Sequence, residues 1–158
     1  MTTSNQSSTK QSPPRLLNFW FLATGIFSFL GFADATYLTV GHYLTLPLPC
    51  TLTHGCETVL TSRFATVGGL PIALLGAIYY LFILFLTLYL YTSDNPKMRI
   101  ARLVTLVTGI GLIVSCYLLY LQLAVIHALC MYCLGSATTT FLLFISSLFL
   151  VRSFRTAA

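Results

Sequence analysis

Charged residues are scarce in this sequence. Asp, Glu, Lys and Arg make up only 7% of the chain, and three residues in all are acidic. A typical globular domain carries about 25% charged residues, and a soluble chain with so little charge could not cover its surface. Hydrophobic residues make up 57% of the chain, and its mean hydropathy is +0.88. The composition therefore excludes a soluble globular protein and indicates an integral membrane protein.

A continuous basic surface is also missing, although the net charge is +5. The basic residues are spread over the tails and the loops, and no basic stripe interleaves with aromatic residues as a nucleic-acid-binding surface would require. We therefore expect membrane lipid, and no nucleic acid, as a partner.

The apolar runs predict an all-α, polytopic membrane four-helix bundle with one long extracytoplasmic loop. A bilayer core of about 30 Å needs about 20 helical residues. The uncharged stretch from Leu103 to Val151 is too long for one helix to cross, so we place a tight turn near Gln122 to Leu129. The predicted membrane domain is 16–152, with spans at about 16–40, 70–91, 103–123 and 129–151, an outer loop at 41–69, a disordered cytoplasmic tail at 1–15 and a second cytoplasmic tail at 153–158.

A cleaved signal peptide is the competing interpretation of the first run, with Ala33-Asp34-Ala35 as the cleavage site. We favour an uncleaved span because the apolar stretch is longer than a usual signal-peptide core, and its loss would leave three helices.

The distribution of basic residues predicts the orientation. With a cytoplasmic N-terminus, the outside holds only Arg63, and the inside holds the other seven of the eight basic residues. Basic residues accumulate on the cytoplasmic side of membrane proteins. This arrangement places the 41–69 loop and the Gln122–Leu129 turn outside. Four of the five cysteines then lie at the oxidising, periplasmic or lumenal, face: Cys50, Cys56, Cys130 and Cys133.

The motif Cys130-Met131-Tyr132-Cys133 indicates redox chemistry. Two cysteines at i and i+3 share one helix face, so they can close into a disulfide or open as a dithiol. We predict that Cys130 begins a helix, where unpaired N–H groups favour the nucleophilic thiolate. Cys133 then lies one turn deeper, toward the apolar interior. A lipophilic quinone suits this end because it accepts two electrons and partitions into the bilayer.

The second pair, Cys50 and Cys56, lies in the long loop, where it can exchange with a soluble dithiol partner and then with Cys130. Two other interpretations remain open: a zinc site with four cysteine ligands, in a non-enzymatic membrane subunit, and two inert structural disulfides. Cys116, alone in the third span, is expected to be a small buried hydrophobic residue.

The sequence resembles the vitamin K epoxide reductase family and its bacterial, DsbB-like homologues over nearly the whole chain after the tail. The resemblance rests on the order of these pieces: Cys50, the run Cys56–Phe64, Gly69-Leu70-Pro71, Ala73–Gly76 and Cys130-Met131-Tyr132-Cys133. It implies a four-helix bundle around a quinone of the ubiquinone, menaquinone or plastoquinone type.

By the same resemblance, Cys130 and Cys133 are the active-site pair, with Cys133 next to the quinone. Cys56 exchanges with Cys130, Cys50 receives electrons from the partner, and Ser62 matches the loop serine near the site. The implied activity is a membrane thiol:quinone oxidoreductase that reoxidises a separate extracytoplasmic thioredoxin-like protein and so drives disulfide formation. Vitamin K epoxide reduction along the same path is the alternative, and it is disfavoured because Ala137 stands where the animal enzymes place a tyrosine.

Other polar residues in apolar surroundings have two interpretations each. Gln122 either hydrogen-bonds a quinone carbonyl or caps a helix end. Asp34 is expected to reach the membrane interface rather than act inside the membrane. His127, in the predicted turn, is expected to be solvated.

Overall fold

The computed structural model describes residues 15–44, 56–60, 62, 65–93 and 98–157. The described elements are α1 (Arg15–Leu44), α2 (Cys56–Leu60), β1 (Thr66–Val67), β2 (Leu70–Pro71), α3 (Ile72–Thr92), α4 (Met98–Leu121), a π-helical turn (Gln122–Ile126) and α5 (Met131–Ala157). Cys50 and Arg63 lie outside the described residues.

Four helices are long and apolar enough to cross a membrane, and the predicted all-α polytopic fold is confirmed. The candidate spans are Leu17–Leu44, Ile72–Thr92, Met98–Ile126 and Met131–Arg155. Each of the four spans is longer than the roughly 20 helical residues that are needed to cross a bilayer. Large apolar side chains cover the outer surface, as a lipid-facing bundle requires: Phe85, Leu106 and Ile113, for example, are all more than 60% exposed.

The helices follow the spatial order α3–α1–α5–α4. Helix α1 packs against both α3 and α5, and α4 packs mainly against α5. Helices α3 and α4 contact each other far less, so the bundle is loosely closed on that side. Because the helices alternate in direction, the C-terminal ends of α1 and α4 share one end of the bundle with the N-terminal ends of α3 and α5.

Two adjacent tyrosines of α3 pack against glycines on different neighbouring helices. A Cβ atom at Gly31 of α1 would overlap the Tyr80 ring, and a Cβ at Gly111 of α4 would overlap the Tyr79 hydroxyl. The missing side chains let the helix backbones accept these rings, as small residues do in membrane helix packing. The sequence therefore separates Tyr79 and Tyr80 onto different walls of the bundle interior.

Small hydroxyl residues join the helices in the membrane interior. Thr24 of α1 donates to Ser146 of α5 at 3.2 Å, and Thr108 of α4 lies 3.0 Å from Ser147 of α5. Interhelical hydrogen bonds of this kind stabilise membrane bundles, where helix association gains nothing from the hydrophobic effect.

A short hairpin immediately precedes α3. Strands β1 and β2 pair with Val67 opposite Leu70, and the two connecting residues, Gly68 and Gly69, both have positive φ. Glycine adopts this conformation without strain, and two such residues make the turn that a two-residue hairpin prefers. The N–H of Ile72 donates to the Ala65 carbonyl at 2.8 Å, which fixes the hairpin to the start of α3.

The connection between α4 and α5 differs from its prediction in one respect: Cys130 does not begin the last helix, which starts at Met131. Helix α4 continues into the π-helical turn, and His127 then takes a left-handed conformation with φ 52°. Because this conformation ends the helix, residues 127–130 run without regular structure. Cys130 consequently occupies the position immediately before the helix, where a side chain can cap the free N–H groups.

Candidate functional site

The Cys130 thiol is fully buried at the N-terminal end of α5, and Cys133 is half-buried in its first turn. Both are free thiols in this structure. The predicted i, i+3 arrangement brings them together, since the Cys133 thiol is hydrogen-bonded to the Cys130 sulfur. The pair is therefore close enough to interconvert between dithiol and disulfide.

The surroundings of Cys130 favour its thiolate form. The hydrogen bond with the Cys133 thiol, aided by the backbone N–H groups of Cys133 and Tyr132, lowers the pKa of Cys130 to about 7 from an ordinary value of 9.0. Burial acts in the opposite direction but is outweighed. The Cys130 sulfur, in the cap position, thus accepts hydrogen bonds from the unpaired N–H groups at the start of the helix. The thiolate is the form that attacks a disulfide.

Gln122 holds the Cys130 backbone in place. The Gln122 side-chain oxygen accepts a hydrogen bond from the N–H of Cys130 at 3.0 Å, and the Gln122 carbonyl accepts from the N–H of His127 and from that of Ala128. The side chain is 4% exposed and also lies within hydrogen-bonding reach of the Cys133 sulfur. Gln122 therefore acts as a cap for the turn, and it also lines the cavity described below.

Cys56 begins the short helix α2 and is fully buried in a cluster with Val59 and Cys130. It is disulfide-bonded, and Cys116, Cys130 and Cys133 are all free, so none of these three is its partner. Cys56 thus brings helix α2 into contact with the Cys130–Cys133 pair. The other predicted member of the loop pair, Cys50, lies outside the described residues.

A cavity of about 520 Å³ opens between the helices on the side where α3 and α4 separate. Its volume lies within the range of about 300–1,000 Å³ that is usual for small-molecule sites. Most of its wall is apolar and consists of residues from α1, α3, α4 and α5. The α5 residues include Cys133 and Ala137. The site therefore presents one thiol of the pair to an apolar chamber.

A polar network on the α3–α5 side of this cavity includes Tyr80, Ser136 and Thr140. The Tyr80 hydroxyl lies 2.7 Å from Thr140 Oγ1 and 3.0 Å from both the hydroxyl and the carbonyl oxygen of Ser136. Tyr80 is only 2% exposed. These hydroxyls form hydrogen bonds with one another, so each buried hydroxyl of this network has a partner.

Ser62, the predicted supporting residue, also lines the cavity from the loop. Its hydroxyl donates to the Val59 carbonyl at 2.7 Å, just after helix α2. Ser62 thereby ties the cavity wall to the segment that carries Cys56.

One expectation about a single residue changes. Cys116 is exposed on the outer face of α4, beside Ile113 and Tyr117, because its helical phase turns it away from the bundle; the expected burial is wrong. Asp34 is half-buried, and its Oδ2 atom is buried without a hydrogen-bond partner among the described residues. His127 is exposed, as expected of a turn residue.

The sequence did not single out the polar wall of the cavity. No motif in the sequence distinguishes Tyr79 from Tyr80, and Ser136 and Thr140 belong to no motif either. The signal that was available is the spacing of Ser136 and Thr140 after Cys133, at i+3 and i+7, which puts all three on one helix face.

Among the described residues, no group of three or more His, Cys, Asp or Glu side chains is placed to hold a metal ion. A zinc site with four cysteines would also require Cys50, which lies outside this part of the chain.

A family model described as "Vitamin K epoxide reductase family" matches residues 22–148, which is most of the chain and includes every cysteine.

Proposed function

The chain belongs to the vitamin K epoxide reductase family of membrane oxidoreductases, and we propose that it is a thiol:quinone oxidoreductase that generates disulfides at the extracytoplasmic face. Electrons would pass from a soluble dithiol protein to Cys50 and Cys56, then to Cys130 and Cys133, and finally to a quinone in the cavity.

The observation that carries this proposal is that the two cysteines of one pair have different surroundings. Cys130 is buried in a cluster with Cys56, whereas Cys133 lines the apolar cavity. One thiol therefore faces the disulfide that would deliver electrons, and the other faces a chamber of suitable size and polarity for a quinone ring.

The exchange step follows from the position of Cys130. Its thiolate, stabilised by helix N–H groups, attacks the Cys56 sulfur, and the former partner of Cys56 leaves as a thiolate. A mixed Cys56–Cys130 disulfide results. Electron flow runs in the opposite direction. Reduced Cys56 attacks the Cys130 sulfur of the Cys130–Cys133 disulfide, which forms the same mixed disulfide and releases Cys133 as a thiolate.

The second step balances electrons and protons. The Cys130–Cys133 dithiol loses two electrons and two protons as its S–S bond forms, and a quinone takes up two of each to become a hydroquinone. An apolar chamber suits this step because a lipid-soluble acceptor can enter it from the membrane.

The partner is proposed to be a separate thioredoxin-like protein outside the membrane, because Cys56 lies on the short helix α2, outside the four candidate spans.

The test is quinone reduction by the purified protein in detergent, with dithiothreitol as electron donor and a short-chain ubiquinone as acceptor. Cys133→Ala should abolish the absorbance change. Cys116→Ala, which alters a free cysteine outside the cavity, should retain it. Quinone reduction by Cys133→Ala at the wild-type rate would overturn the proposal. Vitamin K epoxide as acceptor tests the alternative activity in the same assay.

A further inference from the structure

The Tyr79 hydroxyl is a buried polar group without a partner at the wall of the cavity. Three side-chain oxygen or nitrogen atoms in the described part of the chain are buried without a hydrogen-bond partner, and they belong to Asp34, Thr36 and Tyr79. Of these three residues, only Tyr79 lines the cavity. An unsatisfied buried hydroxyl costs about 1–3 kcal/mol, so native structures nearly always supply a partner.

Neighbouring polar side chains do not supply it. The hydroxyls of Tyr80, Ser136 and Thr140 are bonded to one another. The Gln122 oxygen is bonded to the N–H of Cys130, and the Ser62 hydroxyl is bonded to the Val59 carbonyl. Within the described part of the chain, Tyr79 is therefore the cavity-lining residue whose buried hydroxyl has no partner and can donate to a ligand.

The packing around Tyr79 holds its ring at this wall. The ring lies edge-on against that of Tyr80, with centroids 5.1 Å apart and planes at 68°. On the other side, the hydroxyl sits against Gly111, where a Cβ atom would overlap it. Gly111 lines the cavity too, so the hydroxyl lies at the α3–α4 boundary, where the bundle is least tightly closed.

We propose that the Tyr79 hydroxyl donates a hydrogen bond to a carbonyl oxygen of the quinone and so positions the ring beside Cys133. The inference rests on the proposed function, which supplies the quinone. The hydroxyl keeps its proton: the two electrons and two protons transferred still come from the cysteine pair. Its role is to satisfy the carbonyl oxygen, whose negative charge grows as electrons arrive, in a chamber with little other polarity.

The test compares Tyr79→Phe with Tyr80→Phe, which delete the same atom from adjacent residues. In the ligand-free protein, Tyr79→Phe should unfold at the same temperature as the wild type or higher, because it removes an unpaired hydroxyl. Tyr80→Phe should unfold at a lower temperature, because it breaks the bonds to Ser136 and Thr140.

Short-chain ubiquinone then provides the decisive readout. At a fixed quinone concentration, ligand binding raises the unfolding temperature of the wild type, and tighter binding raises it further. Tyr79→Phe should show a smaller rise and a KM for the quinone that is about 2- to 10-fold higher, the effect of one hydrogen bond. Its KM for dithiothreitol should stay unchanged. Gly111→Ala, which displaces the hydroxyl without deleting it, should likewise raise the KM for the quinone.

The two possible failures are distinguishable. If the wild type binds and reduces ubiquinone and Tyr79→Phe matches it in both thermal shift and KM, the role of Tyr79 is overturned and the proposed function stands. If the wild type itself neither binds nor reduces any quinone, the proposed function is overturned and the role of Tyr79 with it.

Discussion

The side-chain oxygen of Gln122 accepts a hydrogen bond from the backbone N–H of Cys130 across 3.0 Å. This contact joins the end of α4 to the start of α5 and fixes the backbone of the cysteine that faces Cys56. A residue eight positions earlier in the chain thus sets the geometry of the redox pair.

Replacing Gln122 should separate its structural role from its electrostatic one. Gln122→Met removes the acceptor and leaves the buried N–H of Cys130 unpaired, so we expect a loss of about 1–3 kcal/mol in stability. Gln122→Glu keeps an acceptor oxygen and should lose less, but its negative charge should disfavour the Cys130 thiolate and slow its alkylation. Thermal unfolding and iodoacetamide labelling measure the two effects. Equal behaviour of both variants in both assays would contradict this role.

The reactivity of Cys130 should follow its lowered pKa. In the reduced Cys116→Ala protein, the rate of Cys130 alkylation should fall as pH drops through about 7, because the thiolate is then protonated. Since the hydrogen bond from Cys133 is the largest cause of the lowered pKa, the Cys133→Ala variant should show its midpoint at a higher pH. Peptide mass spectrometry identifies the labelled cysteine. An unchanged midpoint in Cys133→Ala would show that the helix N–H groups suffice alone.

Gly31 should be intolerant of a side chain, whereas Gly25 in the same helix should accept one. A Cβ atom at Gly31 overlaps the Tyr80 ring, which its bonds to α5 hold in place, so we expect Gly31→Ala to lose about 1–3 kcal/mol. No atom lies within 4 Å of a Cβ placed at Gly25. Gly25→Ala should therefore be neutral or slightly stabilising, given the helix propensity of alanine. Thermal unfolding in detergent compares the two, and equal losses would contradict the packing described for Tyr80.

The predicted orientation can be tested at the two ends of α3. Val67→Cys, at an exposed hairpin position, should react with a membrane-impermeant maleimide on intact cells. Thr92→Cys, at the other end of the helix, should react only after permeabilisation. Both variants are made in a Cys116→Ala background. Labelling of Thr92→Cys but not Val67→Cys on intact cells would mean that the bundle is inverted.

The helices and the cysteine pair were predictable because their signals are local. Uncharged runs of about 20 residues specify spans, and the i, i+3 spacing of Cys130 and Cys133 specifies a shared helix face. The exact start of α5 was not predictable, since it depends on the left-handed conformation of His127 and on the long-range cap from Gln122.

The cavity wall was unpredictable for a different reason. Tyr79 and Tyr80 are adjacent in sequence and chemically identical, yet one hydroxyl has partners on α5 and the other has none among the described residues. The difference arises because the two rings contact different helices: Tyr79 packs against Gly111 of α4, and Tyr80 packs against Gly31 of α1. Which helices become neighbours is decided only when the bundle assembles. The exposure of Cys116 likewise depends on how α4 is rotated against α5.

The central claim is that Cys130 exchanges with Cys56 while Cys133 faces the electron acceptor. Trapping the exchange intermediate tests it most directly. In a Cys133→Ala protein, Cys130 cannot close a disulfide with residue 133, so its attack on the Cys56 disulfide should yield a Cys56–Cys130 linkage and release the former partner of Cys56 as a thiolate, whose alkylation by iodoacetamide prevents the reverse attack. Non-reducing peptide mass spectrometry, in a Cys116→Ala background, should detect this linked peptide in Cys133→Ala and not in Cys130→Ala. A Cys133→Ala protein that keeps Cys130 as a free thiol, with the original Cys56 disulfide intact, would contradict the account.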